Sequence, residues 1–186
     1  SEAIWHAEHR SAFGKRLIDQ PLMRQVLADL AIEVEAATWL SLRLAAATDH
    51  SVGSSPTDDA EQEAALRRIS LPMSKYFVCK RTPFTVAEAM ECLGGPGYVE
   101  ETGLPRLYRE APLNSIWEGS GNVNALDLLR ALGKEPASLN AWLAEVGAVR
   151  GNDGNFDAAV TDVLDQLGRD PAELEAQARR LAERMA

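Results

Sequence analysis

Apolar residues recur at three-, four- and seven-residue steps along most of the chain, and glycine or proline separates the runs. That period belongs to helices with one buried face, and no segment reads as a strand. A first helix is already under way at Trp5 and ends near Ala12 or Phe13, before Gly14. A second begins after Asp19, with Pro21 suited to its first turn, and stops near Thr48. Its apolar stripe runs through Val26, Leu30, Ala37, Leu40 and Leu44. Residues 50–59, HSVGSSPTDD, form a turn-rich loop. A third helix starts near Asp58 and runs toward Gly94, turning Leu66, Ile69, Met73, Phe77, Val86, Met90 and Leu93 inward. Pro72 and Pro83 interrupt it, which predicts a kink or a split. A fourth covers Gly121 to Leu132, with Val123, Leu126, Leu129 and Leu132 buried.

Three shorter helices follow. One spans Ala137 to Val146 on Leu139, Trp142 and Val146, and another spans Phe156 to Leu167 on Val160, Val163 and Leu167. The last opens at Asp170-Pro171-Ala172-Glu173, where Asp caps, Pro takes the first helical position and Glu the third. Arg150 to Asn155 is a link between them. The pattern predicts an all-α protein, an antiparallel up-and-down four-helix bundle with extra short C-terminal helices. The bundle is placed over residues 1–133 and a helical extension over 134–186.

Composition narrows this picture. At 186 residues and 46% hydrophobic content the chain can build a sizeable core. No apolar run approaches membrane-spanning length. The net charge of -9 favours solubility and disfavours non-specific nucleic-acid binding. Acidic residues outnumber basic ones both before and after residue 130, although Arg179, Arg180 and Arg184 cluster near the end. Cys79 and Cys92 lie about 20 Å apart along a helix axis, beyond disulfide reach. Free thiols fit a cytoplasmic location. The chain opens inside a helix with neither an initiator Met nor a signal segment, which reads as a fragment.

The densest chemistry lies between Glu91 and Arg130. It holds a Gly94-Gly95-Pro96-Gly97 turn, the pair Arg109 and Glu110, and a single carboxylate in Ile116-Trp117-Glu118-Gly119-Ser120-Gly121. A glutamate shielded by tryptophan at a helix start is placed to act as a desolvated base. Gly119 and Gly121 allow a ligand close to the backbone. The plainer reading is a turn followed by a helix-terminal charge. Glu2, His6 and His9 share one helix face, yet no second Glu-x-x-His completes a metal site, so no metal is assigned. No Ser-His-Asp order, P-loop or zinc spacing is present.

The order of these words carries more than any one of them. His9-Arg10-Ser11-Ala12-Phe13-Gly14-Lys15, Cys92-Leu93-Gly94-Gly95-Pro96-Gly97-Tyr98, Leu107-Tyr108-Arg109-Glu110 and Ile116-Trp117-Glu118-Gly119-Ser120-Gly121-Asn122 together resemble the C-terminal domain of acyl-CoA dehydrogenases. Within that family Leu107-Tyr108-Arg109-Glu110 and Asn114-Ser115-Ile116-Trp117-Glu118-Gly119-Ser120-Gly121-Asn122 resemble the AidB-like branch, flavoproteins linked to the adaptive response to alkylation. The resemblance covers residues 1 to about 132 well.

It implies FAD as cofactor and an acyl-CoA thioester as substrate. Glu118 would remove the α-proton, its backbone N–H would help hold the thioester carbonyl, and the flavin would accept the β-hydride. Arg10 and Phe13 match positions that meet the FAD of a neighbouring subunit, and Glu91, Gly94 and Gly95 match a turn that meets the same cofactor. Trp117, Ser120 and Asn122 match residues around the flavin of their own subunit. A homo-oligomer, dimer or tetramer, sharing the FAD site is implied. So is the absence of the family's N-terminal helical and β-barrel domains, which would leave the isolated chain inactive.

Glu91 stands where the family commonly has glutamine, Trp117 where many members have tyrosine, and Asn122 where many have glutamine. These are AidB-like features, and that branch is a poor dehydrogenase. The alternative reading is therefore a flavin-binding protein that associates with DNA and protects it. The acidic balance ranks that reading second.

Overall fold

The computed structural model describes residues 1–52 and 59–186. Its helices in chain order are α1 (Glu2–His9), α2 (Pro21–Val52), α3 (Ala60–Glu91), α4 (Gly95–Tyr98), α5 (Leu104–Glu110) and α6 (Gly121–Lys134). They continue as α7 (Pro136–Gly147), α8 (Gly154–Leu167), α9 (Pro171–Ala176) and α10 (Ala178–Met185). Two two-residue strands, β1 (Ser11–Ala12) and β2 (Lys15–Arg16), lie between α1 and α2. The all-α expectation holds. Two compact units are present: Ser1–Thr38 with Val78–Ile116, and Trp39–Phe77 with Trp117–Ala186.

In the first unit Ala3 and Ala7 of α1, Leu27 of α2 and Cys92 are buried together. Met23, Val26, Leu30, Ala89 and Leu93 pack against them. Arg81 clasps Glu33 through its Nε and Nη2, with Nε donating at 2.6 Å. Burial pushes the Cys92 thiol up, and Glu88 and Glu91 add to the effect, so the residue is an inert core group. Both cysteines are free.

The strand-free expectation fails at one place. Ser11 pairs with Arg16 and Ala12 with Lys15 around Phe13 (φ 52°) and Gly14 (φ 79°). Two consecutive left-handed residues make the tight turn whose twist suits a hairpin. Arg10, at φ -94° and ψ 128°, has already left the helix, so α1 ends several residues before Phe13.

The second unit holds the larger core. Leu66, Ile69, Met73 and Tyr76 of α3 meet Leu128 of α6, Trp142 of α7, Val163 of α8 and Leu181 and Met185 of α10. The Trp142 indole N–H donates to the Met185 carbonyl at 3.1 Å, satisfying a polar atom that would otherwise be stranded in that core. Asp153 caps α8 by accepting from the Asn155 and Phe156 N–H groups, and Asp170 caps α9 through Ala172 N–H.

Several boundaries differ from those expected. The second helix runs four residues past Thr48 to Val52. The third is one helix through Pro72 and Pro83. Pro72 is fully buried, and packing of its turn outweighs the missing hydrogen bond. The loop expected over 50–59 and the helix start near Asp58 fall largely on residues 53–58, outside the described residues. On α6 the buried row is Ala125, Leu128 and Ala131, whereas Val123 and Leu126 are exposed and Leu129 and Leu132 half-buried. Alanines mark the side of closest approach, which a count of large aliphatic residues overlooks.

Arg43 ties this unit together. Its guanidinium donates to Glu63 at 2.8 and 2.9 Å and to Glu145 at 2.6 and 3.0 Å. Hydrogen bonds from Arg43 hold the Glu63 carboxyl below the ordinary carboxylate range. A carboxyl whose folded-state pKa is depressed stabilises the fold above its unfolded value, about 4.3. That stability disappears as pH falls through the lower, folded value. Arg43→Met should therefore cost about 1 kcal/mol at neutral pH. The deficit should shrink when urea unfolding is repeated at about pH 3, where wild type has begun to lose the same contribution.

Candidate functional site

The expected site residues divide between the two units. Arg10, Phe13, Glu91, Gly94 and Gly95 belong to the first, and Trp117, Glu118, Ser120 and Asn122 to the second.

In the first unit the β-hairpin carries Phe13 at its tip, 96% exposed, on a left-handed backbone. A phenylalanine there gains nothing from burial within this chain and pays a conformational cost. Such a residue suits contact with something other than its own core. The Gln20 amide braces the hairpin by donating to the Ala12 carbonyl at 3.1 Å. Arg10 N–H donates to the His6 carbonyl and its own carbonyl accepts from Leu17 N–H, both at 2.8 Å, while among the described residues no hydrogen bond or ion pair engages its guanidinium. His9 stacks on Trp5 at 4.5 Å and donates from Nδ1 to the Trp5 carbonyl at 2.7 Å.

The glycine turn is built by the end of α3. Leu93 and Gly94 N–H groups donate to the Met90 and Glu91 carbonyls, and Gly94 adopts φ 64° and ψ -140°, a conformation open to glycine alone. A Cβ on Gly94 or Gly95 would meet nothing within 4 Å, so this backbone is accessible from outside. Gly97 is the opposite case: a Cβ there would sit 2.2 Å from the Met90 carbonyl oxygen. The turn packs directly on the helix end. Glu91 and Gly94 line one cavity of about 300 Å³ with Met90, Gly97, Tyr98 and Tyr108. A larger groove of about 500 Å³, lined mainly by apolar residues such as Leu27, Leu30, Val86 and Leu107, contains none of the expected site residues.

The neighbouring charges serve local ties. Arg109 pairs with Glu100 at 2.7 and 3.0 Å, and Glu110 with Arg106 at 2.9 Å, all on the surface. The adjacent pair Arg109 and Glu110 is thus two separate ion pairs.

In the second unit Glu118 lies in a turn just before α6. Glu118 (φ 53°) and Gly119 (φ 107°) are both left-handed. For a glutamate that conformation costs about 1 kcal/mol, the kind of strain retained where a side chain must be presented in one direction. The expected burial is not found. Glu118 is exposed, and Trp117 is itself 56% exposed and does not exclude water from it. The tight surface turn leaves both side chains uncovered by the described residues. Ser120 is the N-cap of α6, yet its hydroxyl makes no capping bond, and Asn122 is exposed.

Two residues that the sequence reading overlooked hold this turn. Lys75 Nζ donates to the Trp117 carbonyl at 3.1 Å. The Asn124 side-chain amide donates to the Gly119 and Ser120 carbonyls at 2.7 and 3.0 Å. The only sequence signal was an asparagine early in a helix, where it is a poor helix former and often bonds the backbone.

The chain as a whole has clear matches among known proteins. Residues 1–133 match the family described as acyl-CoA dehydrogenase, C-terminal domain. AidB of Escherichia coli K12 is 49% identical over 173 residues, which is 93% of this chain and 30% of that protein. The crystal structure of Caenorhabditis elegans ACDH-11 in complex with C11-CoA superposes with a TM-score of 0.85 at 28% identity, covering 97% of this chain and 33% of that one. The apo form of Bd2924 gives the same TM-score at 30% identity, over 98% of this chain and 35% of its own. The chain thus spans about a third of the length of the relatives it matches. It belongs to the acyl-CoA dehydrogenase family, whose C-terminal domain it carries.

Proposed function

We propose that the longer protein containing this chain is an FAD-dependent, acyl-CoA dehydrogenase-like oxidoreductase with Glu118 as its base. The observation that carries this reading is the strained turn at Glu118 and Gly119, which presents one exposed carboxylate immediately ahead of α6. The reaction removes a proton from Cα of an acyl-CoA thioester and a hydride from Cβ, leaving an α,β-double bond. FAD, when bound, supplies the two-electron acceptor. Glu118 takes the proton, and its backbone N–H would help hold the thioester carbonyl, making that proton more acidic.

The residues present suit such a cofactor. Phe13 and Trp117 offer exposed aromatic faces, Arg10 a guanidinium that no described residue pairs, and Gly94 and Gly95 an open backbone. Glu91, Ser120 and Asn122 are exposed polar groups beside them in sequence. Arg10, Phe13, Glu91, Gly94 and Gly95 would serve the FAD of a neighbouring subunit, and Trp117, Ser120 and Asn122 the flavin of their own. That division requires a homo-oligomer. Among the described residues no helix is long and apolar enough to cross a membrane. The helices of 134–186 are read as an extension that completes the core of the matched domain through Trp142, Leu181 and Met185.

Anaerobic mixing of the longer, FAD-loaded protein with straight-chain acyl-CoA thioesters tests the reading. Loss of the oxidised flavin absorbance with one range of chain lengths is the expected result. Flavin that stays oxidised with every thioester, including branched and aromatic ones, would remove it.

The alternative is an AidB-like, DNA-associated protective protein with little dehydrogenase activity. It has the exposed Arg179, Arg180 and Arg184 of α10 in its favour. Two of these are already engaged: Arg179 Nε donates to the Tyr76 hydroxyl at 3.1 Å, and Arg184 pairs with Asp162. DNA binding that weakens with salt and with alanine at all three positions would revive it.

A further inference from the structure

We infer that Asn124 and Lys75 are positioning residues that set the direction of the Glu118 carboxylate by gripping the backbone on both sides of it. This rests on the reading of Glu118 as the base. Three carbonyls flank that residue closely: Trp117 before it, Gly119 and Ser120 after it. Lys75 Nζ takes the first at 3.1 Å, and the two hydrogens of the Asn124 amide take the others at 2.7 and 3.0 Å. The arrangement inverts an ordinary helix start. Ser120 occupies the cap position without capping, and a side chain from within the first turn of α6 reaches back to the residues preceding the helix.

The chemistry requires an amide at 124. Both contacts are donations to carbonyl oxygens, so a carboxylate of the same shape would face two acceptors with none of its own protons. The space is equally specific. A Cβ on Gly119 would lie 3.3 Å from Asn124 Nδ2 and 3.4 Å from a Val123 methyl, so the amide packs directly on the strained glycine. Glu118 adopts an unfavourable backbone conformation and its side chain is exposed. Its orientation therefore depends on what holds the peptide groups around it.

The test uses the longer FAD-loaded protein with Asn124→Asp, Asn124→Gln and Lys75→Met. Asn124→Asp adds a negative charge to the first turn of α6, where the helix dipole favours it and offsets part of the cost of the two lost hydrogen bonds. The expected result is a kcat for flavin reduction by thioester at least tenfold lower, with KM, bound FAD and melting temperature little changed. Asn124→Gln, which keeps the donors, should recover most of the loss, and Lys75→Met should give a smaller decrease.

A second readout does not depend on turnover: cleavage after Glu118 by a glutamyl-specific protease should accelerate several-fold in Asn124→Asp, with other cleavage sites unchanged. An unchanged kcat together with unchanged cleavage, or a kcat loss that merely tracks loss of folding, overturns the inference. If Glu118→Gln leaves flavin reduction intact, the assignment of the base fails, and the cleavage rate alone still decides whether Asn124 holds the turn.

Discussion

Glu118→Gln in the longer protein should slow flavin reduction by acyl-CoA about 10²–10⁴-fold, the usual contribution of a positioned general base, while FAD remains bound. The substitution keeps side-chain length and polarity and removes only the capacity to take a proton. Glu118 makes no contribution to either hydrophobic core and is exposed at the surface of its unit. Stability should therefore stay within about 0.5 kcal/mol of wild type. Stopped-flow absorbance at the oxidised flavin band reads the rate, and the spectrum before mixing reads cofactor content. A variant that reduces as fast as wild type would show that the base lies elsewhere. A variant that loses FAD would make Glu118 a cofactor-binding residue instead.

Gly97→Ala should be the most damaging small substitution in the glycine turn, costing about 3 kcal/mol. The added Cβ would fall 2.2 Å from the Met90 carbonyl oxygen and 3.0 Å from its carbon, both backbone atoms at the end of α3. Neither can yield without unwinding that turn. The damage should spread to Glu91 and Gly94, which share a cavity with Gly97, so weaker FAD retention should accompany the lower melting temperature. Gly133→Ala provides the contrast. That glycine is exposed inside α6 with nothing within 4 Å of a new Cβ. Alanine there should stabilise by about 0.5–1 kcal/mol through helix propensity and a restricted unfolded chain. Thermal unfolding of the two variants should thus move in opposite directions. Equal shifts would mean that the close approach at Gly97 does not constrain the fold.

Helical periodicity was readable because its cause is local. The α2 start at Pro21, the Asp170 cap and the buried faces of Ile69, Met73, Val160 and Val163 all follow from spacing and chain-end chemistry. What escaped depends on partners distant in sequence. Pro72 suggested a kink or a split because a proline costs a hydrogen bond, and its full burial accounts for why α3 does not split there. The buried row of α6 went to Ala125 and Ala131 because small residues permit close packing, a preference visible only once α10 and α7 are in place. The hairpin at Phe13 was hidden by a residue that rarely adopts a left-handed backbone.

The candidate site could be proposed from the sequence as a list of residues but not as an environment. Glu118 and its neighbours were singled out by their order along the chain, yet the shielding expected of Trp117 does not occur within these residues. The two groups that do hold the turn, Lys75 and Asn124, sit 42 residues before Trp117 and five after Gly119. Neither belongs to a recognisable word.

The most direct test of the account follows the proton alone. A 3-thia-acyl-CoA has sulfur in place of the β-carbon, so no hydride can leave, while its α-protons remain acidic. Incubated in deuterium oxide with the FAD-loaded longer protein, it should take up deuterium at the α-carbon, and the Glu118→Gln protein should leave it unlabelled. Equal uptake with both proteins, or none with wild type above the uncatalysed rate, would contradict Glu118 as the base of an acyl-CoA reaction.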